Sequence, residues 1–187
     1  MEYLHLDDDL HLERIKPGHA TTIFGAIDRD REYLRKWLPF VDQTRKLADT
    51  ENFIRLLGID SGKERDDVYC IWYKGEFAGL IGYKDSDPIN HKTEIGYWLA
   101  RHMQGKGIMT RCVEKLTDFA FRNLKRNRVQ IKVAVGNAKS AAIPKRLGFR
   151  YEGTERDGEF HTRRYLDLEI YSFLKKEWID MLINRVH

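Results

Sequence analysis

The stretch that decides the fold runs from Ile95 to Leu116 and reads IGYWLARHMQGKGIMTRCVEKL. An apolar run ending near Ala100 gives way to two close glycines, Gly105 and Gly107. After them Val113, Leu116, Ala120, Phe121 and Leu124 recur at three- and four-residue steps, the spacing of a helix that buries one face. A strand, a glycine loop and a helix N-terminus together make an anion site, because first-turn amides lack intrahelical acceptors and the helix dipole adds positive potential there. The charges point the same way. A first turn ordinarily favours Asp or Glu, yet Lys106 and Arg111 flank this one and its first acid is Glu114. A ligand could supply the missing negative charge. A plain tight turn accounts for the two glycines equally well.

Two nucleotide motifs drop out. A dinucleotide fingerprint needs a third glycine where Thr110 stands. A P-loop needs Lys after its second glycine, where Ile108 stands. What remains is Gln104-Gly105-Lys106-Gly107-Ile108-Met109-Thr110.

Upstream, LHLERI alternates as a first strand, and GHATTIFGAIDRDREYLRKWLPF places Ile23, Ile27, Leu34 and Leu38 on one helical face that Pro39 ends. A second helix is expected after Asp49 or Thr50, with Phe53, Ile54 and Leu57 inward and Gly58 as its stop. VYCIWY-KGE-FAGLIGY reads as a hairpin, and TEIGYWLA adds a third antiparallel strand. Downstream, VQIKVAV is a strand and Asn137 can cap a short helix that Pro144 kinks or delays and Gly148 closes. RYEGTERD, a turn at Gly158 and RRYLDLEIYSFL form a last hairpin, with Tyr151 and Tyr165 as core residues, and KKEWIDMLINR is a final helix. The expected fold is α/β (α+β): one domain over residues 1–187, built on a single mixed, mostly antiparallel sheet of about seven strands with helices on both faces.

Composition sets the remaining bounds. With 42% hydrophobic and 33% charged residues the chain can bury a core, and no apolar run reaches the roughly 20 residues of a membrane span. The acidic start, MEYLHLDDDLHLERI, lacks a signal-peptide pattern. Two cysteines in unlike contexts, Cys70 and Cys112, argue against a disulfide framework or zinc site and suit a reducing cytoplasm. No metal and no membrane partner are expected. The net charge of +4 points to an anionic partner, a nucleic acid or a phosphorylated cofactor, although a basic excess of this size also suits an ordinary soluble surface. RNLKRNR and HTRRY are the segments that would serve an RNA- or ribosome-binding module, an alternative role, and a nucleic-acid partner is not expected.

The glycine loop resembles that of the GNAT acyltransferase superfamily, [QR]-x-x-G-x-[GA], with Gln104, Gly107 and Met109 at the three fixed positions and Met109 larger than usual. A second element stands at the right distance: Asn137-Ala138-Lys139-Ser140, then Leu147-Gly148-Phe149. EIGYWL, GKGIMT, N-x-x-S…GF and KWLPF in this order resemble the branch that acetylates ribosomal-protein N-termini, from about Leu12 to Trp178. The resemblance implies a splayed, GNAT-like sheet. It implies acetyl-CoA between the strand ending near Leu99 and the one ending near Val135, with transfer to a primary amine. That amine is a protein N-terminus or, as an alternative, a polyamine or aminoglycoside. A CoA sensor without turnover is a further alternative.

The roles follow from that cleft. The amides from Gly105 to Thr110, with Gln104, Lys106, Gly107, Ile108 and Met109 between and beside them, would hold the pyrophosphate. Trp98, Leu99 and Ala100 would pair with the pantetheine amides and offer an N–H to the thioester oxygen. Asn137 would hold the arm from the other side, and Lys145 or Arg146 would meet the 3′-phosphate. Glu94 is the candidate base or a carboxylate paired with a nearby Lys or Arg; Glu159 and His161 are alternative bases whose position near the last hairpin turn reads first as an exposed turn. Ser140 is the candidate thiol-side acid or a plain helix-start hydrogen bonder. Trp37 and Phe40, with Glu159, would line the acceptor site. Cys112 reads as core. The acceptor's identity and the choice between monomer and homodimer stay open.

Overall fold

The computed structural model describes residues 2–59 and 66–184. Eight strands, β1 Tyr3–His5, β2 Leu10–Arg14, β3 Val68–Tyr73, β4 Glu76–Asp87, β5 Lys92–Leu99, β6 Arg128–Ala134, β7 Arg150–His161 and β8 Arg164–Leu174, form one sheet in the order β1-β2-β3-β4-β5-β6-β8-β7. Its helices are α1 Ala20–Arg29, α2 Arg31–Leu34, α3 Leu47–Ile59, α4 Ile108–Arg122, α5 Ala138–Arg146 and α6 Lys175–Asn184. Among the described residues, no helix is long and apolar enough to cross a membrane.

The strand pairs are antiparallel except β5–β6. A parallel neighbour needs a crossover, and α4 provides it. The β5–β6 ladder spans only Lys92↔Arg128, Thr93↔Val129 and Glu94↔Gln130. Beyond Glu94 the two strands part, and that divergence is the cleft.

Helices cover both faces. On one, α4 buries Val113, Leu116 and Ala120 against Tyr69, Ile71, Ile81 and Ile95, while Trp178 of α6 packs edge-on to Phe173 at 5.4 Å. On the other, Ile23 and Ile27 of α1 and Ile54 of α3 meet Cys70, Phe77, Leu80 and Trp98. Gly79 is required where β4 meets β5: its φ is +153°, and a Cβ there would lie 2.2 Å from the Trp98 carbonyl oxygen.

Several expectations need correction. The eighth strand is β1, a three-residue edge too short for any periodicity to reveal. The first helical region is broken: a 3-10 turn Pro17–His19, α1, α2, then a second 3-10 turn Pro39–Asp42. Phe53 is exposed, because Ile54 alone of that stretch reaches the core, and α3 continues past Gly58 to Ile59. Gly158 is not the last turn. It lies inside β7 at a bulge where pairing skips from Glu155 to Glu159, and the chain turns at Thr162-Arg163. Tyr151 and Tyr165 are exposed, because β7 is an edge strand and the hairpin tip extends past the core. Pro144 sits inside α5 without ending it.

Candidate active site

The loop between β5 and α4 is built as an anion cradle. Gly105 and Gly107 have φ of +76° and +72°, a left-handed conformation that costs a residue with a Cβ about 1–2 kcal/mol. A Cβ on either would meet nothing within 4 Å, so the demand is on the backbone angle and the space in front stays open. Gly107 is the N-cap of α4, without a capping side chain and with no acid in the first turn. Among the described residues, no protein acceptor meets the amides from Gly105 to Thr110. Cations surround them. Lys106 lies over the Tyr73 ring at 5.8 Å, Lys139 donates to Gln104 Oε1 at 2.9 Å, and Arg146 donates to Thr110 Oγ1 at 2.7 Å. Gln104 Nε2 in turn bonds the Tyr33 hydroxyl.

Met109, the irregular position of the motif, turns away from the cradle. Its side chain is buried in the core with Cys112 and Val113, so its size takes no space from an anion. Of the two candidate 3′-phosphate cations, Arg146 stands beside the loop. Lys145 instead lies over the Tyr171 ring at 5.7 Å.

Beyond Glu94 the β5 edge facing β6 is unpaired. The Ala100 amide donates to Ala78 O at 2.7 Å, so alternation turns the backbone groups of Trp98 and Ala100 toward β4. Of the expected trio, only Leu99 faces the cleft with its backbone, and Tyr97 joins it. The Trp98 side chain is core, edge-on to Phe77 at 5.9 Å.

Across the cleft Asn137 Oδ1 caps α5 by accepting the Ser140 amide at 3.3 Å. Pro144 has no N–H to give the carbonyl four residues earlier, which is that of Ser140. The freed carbonyl accepts the Tyr97 hydroxyl at 3.2 Å, and Ser140 Oγ donates to the Tyr97 oxygen at 3.2 Å. Burial pushes the Tyr97 hydroxyl up to about 12. Tyr97 therefore bridges both walls of the cleft. The sequence reading missed it, although alternation already set it opposite Trp98 on the α5 side.

Two carboxylates of different character lie near one another, Glu94 and Glu159. Glu94, 2% exposed, ends the β5–β6 ladder; its Oε1 lies 2.7 Å from Lys84 Nζ and its Oε2 accepts from Gln130 at 3.0 Å. Glu159 is half-buried and carries no ion pair among the described residues. Burial holds its carboxyl above the ordinary value; Lys84 and His161 offset this and Glu94 adds to it. His161 is buried, its Nε2 donating to the Arg35 carbonyl at 2.7 Å. An open cavity of about 650 Å³ lies against His161, with Trp37 and the Thr162–Arg164 turn in its wall. Trp37 also reaches the chain just before Asn137, 3.8 Å from where a Gly136 Cβ would stand. Phe40 is exposed and does not line that cavity.

Neither cysteine fits covalent chemistry. Cys112 is buried among α4's core residues and burial pushes its thiol up to about 12. Cys70 sits 3.3 Å from His19 Nδ1, whose Nε2 lies 3.3 Å from Glu13, an arrangement reminiscent of a nucleophile with its base. It is fully enclosed, and burial pushes that thiol up to about 12 as well.

Known proteins share this sequence and fold. Residues 9–150 match the acetyltransferase (GNAT) domain. The putative ribosomal N-acetyltransferase YdaF of Bacillus subtilis (strain 168) is 36% identical over 183 residues, 92% of this chain and 95% of that protein. The ribosomal-protein-serine acetyltransferase of Escherichia coli (strain K12) is 26% identical over 91% of this chain and 96% of its own length. Among solved structures, the microcin C7 self-immunity acetyltransferase MccE in complex with acetyl-CoA and AMP superposes with a TM-score of 0.85 at 29% identity, covering 90% of this chain and 94% of that one. RimL, the ribosomal L7/L12 alpha-N-protein acetyltransferase in complex with coenzyme A, has the same fold, with a TM-score of 0.89 at 24% identity over 94% of this chain and 99% of that one. The cradle, the splayed β5–β6 cleft and these matches lead to one conclusion: the chain belongs to the GNAT acetyltransferases, enzymes that use acetyl-CoA.

Proposed function

We propose that this acetyltransferase acts on the N-terminal amine of a protein, with ribosomal proteins as the acceptor class and the cytoplasm as its place of work. The observation that carries the reading is the open cavity of about 650 Å³ beside the cleft, against His161 and Trp37. It has room for a run of residues, more than a small amine needs. The names of two relatives that align over nearly the whole chain agree with it.

Acetyl-CoA supplies the acetyl group as an activated thioester, and the residues of the chain do the rest. The amides from Gly105 to Thr110 bind the pyrophosphate, with Lys139 and Arg146 adding positive charge beside it. Leu99 and Tyr97 offer backbone groups along the free β5 edge, and the Leu99 N–H would polarise the thioester oxygen. Ser140 and Tyr97 hold a hydrogen-bonded proton on the thiol side. Glu159, half-buried and unpaired, takes the amine's proton directly or through water. Glu94, committed to Lys84 and Gln130, is better suited to fixing Lys84 near Glu159 than to accepting a proton itself. Holding both reactants removes several kcal/mol of barrier, on the order of 7–11 for ideal alignment.

The experiment is thiol release from acetyl-CoA against a panel of N-terminal peptides, spermidine and aminoglycosides. Turnover of peptides over the small amines is expected. Turnover of the small amines with none of the peptides would overturn the reading.

A further inference from the structure

We infer that the cavity between α2 and the β7–β8 tip is the subsite for the residues that follow the acetylated amine, and that it selects an acidic acceptor segment. This rests on the protein-N-terminus reading above and specifies which N-termini are used.

The wall of the cavity carries Arg35, Lys36, Arg163 and Arg164 against a single acid, Glu32. Arg35 is already committed, 3.0 Å from Asp42 and 3.4 Å from Glu32. Lys36, Arg163 and Arg164 are exposed and have no acidic partner among the described residues. Uncompensated cations around a concave surface focus positive potential into it. The chain's net charge of +4 is thus concentrated in part at one mouth.

These cations stand on a fixed frame. The His161 ring donates to the Arg35 carbonyl at 2.7 Å, and the Thr162 hydroxyl donates to Asp42 at 3.3 Å. Thr162, a β-branched residue, has φ +60°, with the Arg163 amide on the His161 carbonyl at 2.8 Å. That three-residue turn is a strained form, where Asn-Gly would turn the hairpin at less cost. The surrounding contacts hold it, and it puts two arginines in succession at the cavity's edge.

The position is right for an acceptor chain. Trp37 in the cavity wall packs at Gly136, next to the Asn137 cap, and His161 is two residues beyond Glu159 on the same strand. An amine beside Glu159 therefore has its own chain leaving past His161 toward the cations, and an extended chain advances about 3.3 Å per residue. Its second to fourth residues come level with them.

The test compares kcat/KM for three peptides that share an N-terminal serine and differ at residues two to four: acidic, neutral or basic. Exposed ion pairs are individually weak, so a preference of about tenfold for the acidic over the basic peptide is expected. It should lie in KM and shrink as salt is raised. Arg163→Glu with Arg164→Glu should reverse the order while the KM for acetyl-CoA and the melting temperature hold, and Arg163→Lys with Arg164→Lys should retain it. Equal kcat/KM for all three peptides, or an order untouched by charge reversal, overturns the acidic subsite alone. No transfer to any of the three overturns the protein-N-terminus reading and the subsite together.

Discussion

Burial holds the Glu159 carboxyl above its ordinary value, and with Glu159 as the proposed base the pH dependence of turnover follows from that. A protonated carboxyl cannot take the amine's proton. Turnover should fall as pH drops through this raised value and should be retained above it. Glu159→Gln should lower kcat by about 10²–10⁴-fold and remove that acidic limb, with CoA affinity unchanged. Glu94→Gln should cost less, because the Glu94 carboxylate is already held by Lys84 and Gln130. An acidic limb that persists in Glu159→Gln would assign the base to another group. The sequence placed both carboxylates near the cleft. It could not rank them, since Lys84 and Gln130 reach Glu94 only through the β4–β5 and β5–β6 registers.

At the scale of elements, α4 and β5 were legible because each has one strong period, and Asn137 and Gly148 because caps are local chemistry. The missed features depend on distant partners. Phe53 and Tyr151 carry no local sign of exposure, and the Gly158 bulge depends on how β8 pairs. The His19–Cys70 contact joins residues 51 apart. That cluster has a measurable consequence. Burial lowers the His19 pKa below its ordinary 6.5 despite the nearby Glu13 charge. The unfolded chain then binds a proton that the folded one resists, so this contribution to stability is present above pH about 6.5 and is lost as pH falls below it. Urea midpoints across that range should drop toward acid more in the wild type than in His19→Gln; parallel profiles would contradict this. Packing makes a second expectation. Leu116→Ala, at a fully buried position, should cost about 2–5 kcal/mol in urea unfolding. Ile89→Ala, at 87% exposure, should stay within about 0.5 kcal/mol.

At the scale of the molecule, two sheet halves joined through a short parallel ladder open into a cleft whose walls come from different parts of the chain. The cradle of α4 and the free β5 edge form one wall, and the Asn137 cap with Ser140 forms the other. The β7–β8 tip, docked on α2 through His161, bounds the cavity beside it. Sequence motifs marked both walls of this cleft, because each uses a short-range signature. The cavity beside the cleft carries one local signature, KWLPF around Trp37, and the rest of its wall forms only where the tip of a long hairpin meets the C-terminal end of α2. The most direct test is to incubate the enzyme with acetyl-labelled acetyl-CoA and the unfractionated proteins of a ribosome, then map the label by peptide mass spectrometry. The label is expected on the N-terminal α-amine of a ribosomal protein, and absent when Glu159→Gln replaces the wild type. Label confined to lysine side chains, or no protein label while a polyamine is acetylated at speed, would contradict it.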